Sequence, residues 1–125
     1  MSARVHDWLK ADIEGFWRTH GAGPSAGLRH VAEEWWAMQR FPAIAFRDGV
    51  SGRRAHLRGG PDVWEVVSVA RDYGGNQYGF YEHFAPFLTG EMLDQALTYA
   101  ERFPDSVERM IEQNARIERM LLPGG

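Results

Sequence analysis

The feature that most restricts the fold of this chain is a short, arginine-rich hairpin that stands directly before a series of helices. Asp48-Gly49 favours the positive φ of a tight turn, and the residues on either side predict two short antiparallel strands, 43–46 and 54–57. Between residues 47 and 58 four arginines stand against one acid, a local charge of +3: Arg47, Arg53, Arg54 and Arg58. Because neighbouring exposed arginines attract phosphates, this segment is predicted to bind nucleic acid.

Helical periodicity accounts for most of the remaining chain. Asp62 and Thr89 are suitable N-cap residues, and Gly74-Gly75 is a pair that ends helices. The predicted helices cover residues 3–20, 25–40, 62–73, 77–84, 89–103 and 105–121. The sequence therefore predicts a mostly α fold with a short β-hairpin, of α+β class. The predicted fold consists of a helix-turn-helix-like three-helix unit, an N-terminal helical pair and a C-terminal helix.

The N-terminal helical pair is rich in tryptophan. We predict an N-terminal helical layer over residues 1–42 and a second domain over residues 43–125. Since about 40 residues rarely fold alone, the layer is predicted to serve dimerisation. Adjacent tryptophans on a helix point about 100° apart, so residues 35 and 36 cannot both face one core. A homodimer is predicted, with these residues in the interface: Trp8, Trp17, Trp35 and Trp36. Four residues of the second helix are predicted to face inward: Leu28, Val31, Trp35 and Met38.

Composition and the available motifs exclude several classes of function. The chain has no cysteine, which excludes disulfides, thiolate metal sites and cysteine nucleophiles. No apolar run approaches the roughly 18 residues that span a bilayer, and the N-terminus lacks the apolar segment of a signal peptide. A cytoplasmic protein without a membrane partner is therefore predicted. His30 and Glu33 share a helix face, but nothing nearby completes a metal site. The sequence predicts no enzyme, no metal and no cofactor.

Three segments of the second domain resemble a known family. They are Gly52-Arg-Arg-Ala-His-Leu-Arg-Gly-Gly60, Tyr81-Glu-His-Phe-Ala-Pro-Phe-Leu-Thr89 and Gln95-Ala-Leu-Thr-Tyr-Ala100, with Val63-Trp64 between the first two. Across residues 44–103 the chain resembles the antitoxin-like domain of unknown function number four-three-three. Gly60 replaces the usual threonine of that family, and the helical segment 3–40 is not part of its pattern. The resemblance implies a winged or homeodomain-like helix-turn-helix and the DNA-binding role of VapB-type antitoxins.

The resemblance also implies roles for particular residues. Arg53, Arg54 and Arg58 would lie on the basic hairpin, and residues 80–100 would form the helix-turn-helix. Glu91 and Asp94 place two acids in the first turn of the nominal reading helix, where DNA would have to approach. Most contacts with the protein's own operator are therefore predicted to come from five arginines: Arg47, Arg53, Arg54, Arg58 and Arg71.

The C-terminal helix carries an apolar stripe that needs cover. Its predicted partner-binding residues are Val107, Ile111, Ile117 and Leu121. By the resemblance, such a segment lies in a groove of a ribonuclease-type toxin, and Arg116 and Arg119 would face the toxin's carboxylates. The alternative is that the helix packs on its own domain or on a symmetry mate, with these arginines in i,i+4 pairs.

Two other functions remain open at this point. One is a non-catalytic protein-interaction module, and the other is a small-molecule-binding regulator whose tryptophan-rich layer forms a pocket. The hairpin arginines also have a purely structural interpretation, because charged side chains on an edge strand prevent unwanted pairing with other strands.

Overall fold

The computed structural model describes residues 6–19, 21, 24–49 and 52–121. The chain divides into two compact units, Met1–Arg40 and Phe41–Gly125. The division lies close to the predicted boundary after residue 42. Within the described part, no helix is both long and apolar enough to cross a membrane.

The first unit is a pair of helices, α1 (Asp7–Thr19) and α2 (Pro24–Arg40). Trp17 of α1 is buried, and its ring stacks on His30 of α2 with 5.0 Å between ring centroids. A Cβ atom at Gly27 would lie 2.7 Å from the Cβ of Trp17, so this close approach of α2 requires glycine. The prediction that Trp35 faces inward is wrong, because its side chain is 61% exposed. Residues 3–5 of the predicted first helix lie outside the described residues.

The second unit begins with the antiparallel hairpin of β1 (Ile44–Gly49) and β2 (Gly52–Leu57). Both strands extend further than predicted, because Asp48, Gly49 and Gly52 of the predicted turn also pair. The prediction of a positive φ at Asp48-Gly49 is wrong, because both residues have the extended conformation of β1. In the observed register Arg47 lies opposite Arg54, and Asp48 lies opposite Arg53. Val50 and Ser51 of the predicted turn lie outside the described residues.

Four helices follow the hairpin, and capping groups bound them as the sequence predicts. Gly74 has the left-handed conformation, with φ of 52°, that lets it end the first of them. Thr89 Oγ1 accepts a hydrogen bond of 3.2 Å from the Met92 N–H at the start of the third. The helices are α3 (Val63–Tyr73), α4 (Gln77–Phe84), α5 (Gly90–Arg102) and α6 (Pro104–Leu121).

Helix α3 is the centre of the second unit, since it contacts β2, α4, α5 and α6. The largest fully buried side chains come from the hairpin, α3 and α5: Ile44, Leu57, Val63, Val66 and Leu93. The hairpin is attached to this core through Leu57, and the Gln95 side chain of α5 accepts a hydrogen bond of 2.8 Å from the Ala43 N–H. The predicted α+β class, mostly helical with one short hairpin, is confirmed.

Candidate nucleic-acid interface

Two arginines face each other across the hairpin. Arg47 and Arg54 occupy directly opposed positions on β1 and β2, where like charges destabilise a strand pair. The guanidinium of Arg54 also lies over Gly49, at a position that a Cβ atom on residue 49 would occupy. Such an arrangement needs an anion close by.

Asp62 supplies that anion. Its Oδ1 accepts hydrogen bonds from Arg47 Nη2 at 2.7 Å and from Arg47 Nε at 3.1 Å. Its Oδ2 accepts from Arg54 Nη1 at 3.1 Å and from Trp64 Nε1 at 3.0 Å. The Asp62 side chain is 4% exposed, the Arg54 side chain 11% and the Arg47 side chain 47%. One buried carboxylate therefore holds two arginines and a tryptophan.

The backbone around Asp62 fixes the position of its carboxylate. Asp62 is the N-cap residue of α3, and its N–H donates to Glu65 Oε1 at 3.3 Å, which is one half of a capping box. An antiparallel bridge joins Asp62 to His56 of β2. The Leu57 N–H donates to the Pro61 carbonyl at 2.9 Å. Both the hairpin and the first turn of α3 thus position this side chain.

Sequence reasoning identified Asp62 only as a helix cap. The signal for its second role was available, because a hairpin that pairs residue 49 with residue 52 places Arg47 opposite Arg54, and two facing cations require an acid. What the sequence does not show is which of the nearby acids folds back onto the pair.

The two other hairpin arginines have different partners. Arg53 forms an ion pair of 3.5 Å with Asp48, its partner across the strands. Arg58 is exposed, and its Nε donates to the Pro42 carbonyl at 2.9 Å. Counting Asp48 and Asp62 against the four arginines, the hairpin and its buried acid keep a net charge of +2.

Arg71 lies apart from this group. It stands in the last turn of α3, about 14 Å along the helix axis from Asp62 at the usual rise per residue. Its guanidinium donates to the carboxylate of Glu108, which joins α3 to α6. The structure therefore places four of the five predicted arginines on or next to the hairpin, brings only Arg47 and Arg54 together on one acid, and places the fifth in a different ion pair.

The Arg71–Glu108 pair predicts a specific pH dependence. Hydrogen bonding from Arg71 lowers the pKa of the Glu108 carboxyl below its ordinary value, which is about 4.3 for glutamate. A lowered pKa in the folded state stabilises the protein above the ordinary value, and that contribution is lost as the pH falls through the lowered pKa. Replacing Arg71→Gln should return the pKa of Glu108 toward its ordinary value in an NMR titration. Arg116→Gln, on the same α6 surface, should leave it unchanged, and equal shifts in both variants would contradict the assignment.

The first turn of α5 is acidic, as the sequence predicts. Glu91 and Asp94 are both exposed. The Tyr81 hydroxyl of α4 donates to Asp94, and this hydrogen bond raises the pKa of the Tyr81 phenol. Two carboxylates at this end of α5 oppose the approach of a phosphate backbone.

The residues predicted on α6 divide between the core and the surface. Val107 is buried together with Met110, while Ile111 and Ile117 are half-buried. Leu121 is exposed, as is its neighbour Met120. Arg116 forms an i,i+4 ion pair with Glu112, and Arg119 is exposed.

The four tryptophans of the predicted dimer interface also divide. Trp17 belongs to the interior of the first unit, whereas Trp8, Trp35 and Trp36 are exposed. Across the described residues, no three histidine, aspartate or glutamate side chains converge in a way that could hold a metal ion.

No known protein family, curated protein or solved structure matches the chain.

Proposed function

We propose that this chain is an antitoxin-like, DNA-binding regulator that contacts the phosphate backbone through its hairpin. The observation that carries the proposal is the pair of opposed arginines held by one buried aspartate. Two cations share a single anion there, and Arg47 is half-exposed. A net positive charge remains on the hairpin, where the side chains of Arg47 and Arg58 are open to solvent.

The geometry of Arg47 fits phosphate binding. A guanidinium has five N–H donors. Arg47 uses two of them to bind Asp62, the N–H of Nε and one N–H of Nη2. The donors of Nη1 are left for an oxygen of a ligand. Because Asp62 already fixes the plane of the group, less side-chain entropy is lost when a phosphate binds.

The remaining hairpin arginines lie at other places on the hairpin, since Arg53 and Arg54 are consecutive in β2 and point to opposite faces. Arg58 is oriented by Pro42 through its Nε, which leaves both terminal nitrogens for phosphates. Arg53 shares its charge with Asp48 at the other end of the hairpin. Arg54 is nearly buried, so its role in this proposal is to hold Asp62 rather than to contact DNA.

The hairpin would supply the main contact with DNA, and α5 would have a supporting role. The acidic first turn of α5 opposes its insertion into a groove, so affinity should come largely from phosphates and depend strongly on salt. We propose a cytoplasmic site of action, with the chain's own operator as the target. The absence of cysteine is compatible with that compartment.

A gel-shift or fluorescence-anisotropy titration tests the proposal, using the DNA upstream of the chain's own gene at two or more salt concentrations. The double variant Arg47→Ala/Arg58→Ala should bind more weakly. Its plot of log affinity against log salt should be shallower by roughly two units, about 0.9 for each phosphate that the variant no longer neutralises. Asp62 keeps its bond to Arg54 in this variant, so the hairpin should stay folded.

The matched control is the removal of two positive charges outside the hairpin, in Arg29→Ala/Arg116→Ala. Both of these arginines are exposed and form i,i+4 pairs within their own helices. The control should bind DNA with the salt dependence of the original protein. Equal losses of DNA affinity in the two double variants would show that the effect comes from net charge and not from the hairpin. Unchanged binding by the hairpin variant would refute the proposal.

A second function, docking of a ribonuclease-type toxin or another protein, is favoured by the end of α6. Met120 and Leu121 are large apolar side chains on the exposed last turn of this helix, and Arg119 is exposed beside them. Removing residues 119–125 should abolish binding of such a partner while DNA binding persists. Retained partner binding would exclude this end of the helix as the docking site.

A further inference from the structure

We propose that two copies of this chain associate through α2, along a seam formed by Leu28, Val31, Trp35 and Met38. These residues follow one another at intervals of three, four and three, which is the spacing of the apolar positions in a coiled coil. On a helix this spacing places all four side chains within about 80° of arc. The seam extends over most of the length of α2.

The exposure of the seam agrees with a role outside the unit's own interior. Trp35, near its centre, is 61% exposed, and the other three members are half-buried. The interior of the unit is made instead around Trp17, which contacts Gly27 and His30. These two residues lie about 80° and 140° around α2 from Trp35, so the packed face adjoins the seam at Met38 and leaves Trp35 outside it. A large aromatic side chain on a helix that already has one packed face indicates a second packing surface.

Charge favours an identical chain as the occupant of this surface. The residues beside the seam, Ala32 and Gln39, are uncharged. Arg29 and Arg40 lie on the opposite side of the helix, more than about 130° from the centre of the seam. Glu34 lies about 80° from that centre, next to Met38 at the edge of the seam. Two copies of the seam can therefore meet without placing like charges together, whereas a strongly charged partner would find nothing to pair with.

The size of the first unit also favours association of two copies. Residues 1–40 carry five basic and five acidic side chains, so no net charge opposes self-association. An element of about 40 residues buries too little surface to be stable alone and usually depends on oligomerisation or other cross-links. Pairing two helical hairpins through α2 would give a four-helix arrangement with a shared interior.

The area available predicts a weak dimer. From the size of aromatic and aliphatic side chains, two copies of the seam and its flanks would bury on the order of 600 Å² of apolar surface. Specific interfaces begin at about 1,200 Å² in total, of which roughly 57% is apolar. The seam therefore lies slightly below the roughly 680 Å² of apolar surface in the smallest specific interfaces, so we expect a weak, concentration-dependent dimer.

Sedimentation equilibrium on the full-length chain, from about 1 to 100 µM, tests this inference without any nucleic acid. The original protein should fit a monomer–dimer equilibrium. Trp35→Glu places a charge at the centre of the seam in both copies and should weaken the dimer at least tenfold. Trp35→Phe, which keeps an aromatic ring, should preserve most of the affinity.

The matched control is Trp8→Glu. Trp8 is 64% exposed and lies on α1, so this variant loses the same side chain and gains the same charge outside the seam. It should dimerise like the original protein, with both glutamate variants retaining the original helical circular-dichroism signal. A monomer at all concentrations, equal weakening by the two glutamate variants, or association that continues beyond a dimer would each overturn the inference.

Discussion

Replacing Asp62→Ala should lower the free energy of unfolding by about 3–5 kcal/mol, the usual cost of removing one partner from a buried ion pair. Arg54, whose side chain is 11% exposed, would keep its charge and lose its acceptor. It would then stand directly opposite the like charge of Arg47. The Trp64 indole N–H would also lose its acceptor. Urea denaturation followed by circular dichroism and tryptophan fluorescence measures the loss.

The control is Asp48→Ala, which removes the other acid of the hairpin. Asp48 is half-exposed and pairs with Arg53 at 3.5 Å, a type of pair that contributes at most about 1 kcal/mol. The two variants have the same change in charge and composition and differ in the burial of the carboxylate and in the loss of the α3 N-cap, which by itself costs about 1 kcal/mol. If Asp62→Ala unfolded at the same urea concentration as Asp48→Ala, Asp62 would not be the group that stabilises the hairpin.

Ending the chain after Pro104 should unfold most of the second unit. This truncation removes Val107 and Met110, two buried side chains on the helix that covers α3, and also the Arg71–Glu108 pair. Each buried side chain contributes on the order of 2 kcal/mol or more, and a small domain has only about 5–15 kcal/mol of stability in total. A thermal unfolding transition that is lost or moved far downward would show that α6 belongs to the core.

Ending the chain after Glu118 is the comparison that separates core from docking surface. Met120 and Leu121 are both exposed, so their removal should change the free energy of unfolding by no more than about 0.5 kcal/mol. A chain ended after Pro104 that kept the original melting temperature would make all of α6 an appended arm. The structure predicts instead that only the last turns of α6 are available to a partner.

Local rules predicted most of the secondary structure. Asp62, Gly74 and Thr89 have conformations or side-chain bonds that act within a few residues, and the sequence located the helix boundaries near them. The Asp48-Gly49 pair likewise predicted the hairpin, although both residues belong to β1. Such interactions are decided by neighbours in the chain, so a single sequence contains them.

Partners that lie far apart in the chain could not be predicted in this way. The arginine cluster was visible as a run of charge, but the sequence did not show that Asp62 folds back onto Arg47 and Arg54. It also did not show that Arg71 bonds to Glu108, 37 residues later. These pairings depend on how α3 lies against the hairpin and α6.

The amphipathic helices also show the difference between what local sequence predicts and what tertiary packing decides. Periodicity identified apolar residues on α2 and α6, but it did not distinguish a side chain that packs on its own unit from one that faces solvent. Trp17 and Trp35 have the same residue type and similar helical settings, yet one is buried and the other exposed. The sequence by itself determined the helices, the hairpin and the local charge, because these follow from contacts over a few residues. Only the tertiary structure decided which apolar faces are covered and which arginines are neutralised, because burial depends on the packing of elements that are distant in the chain.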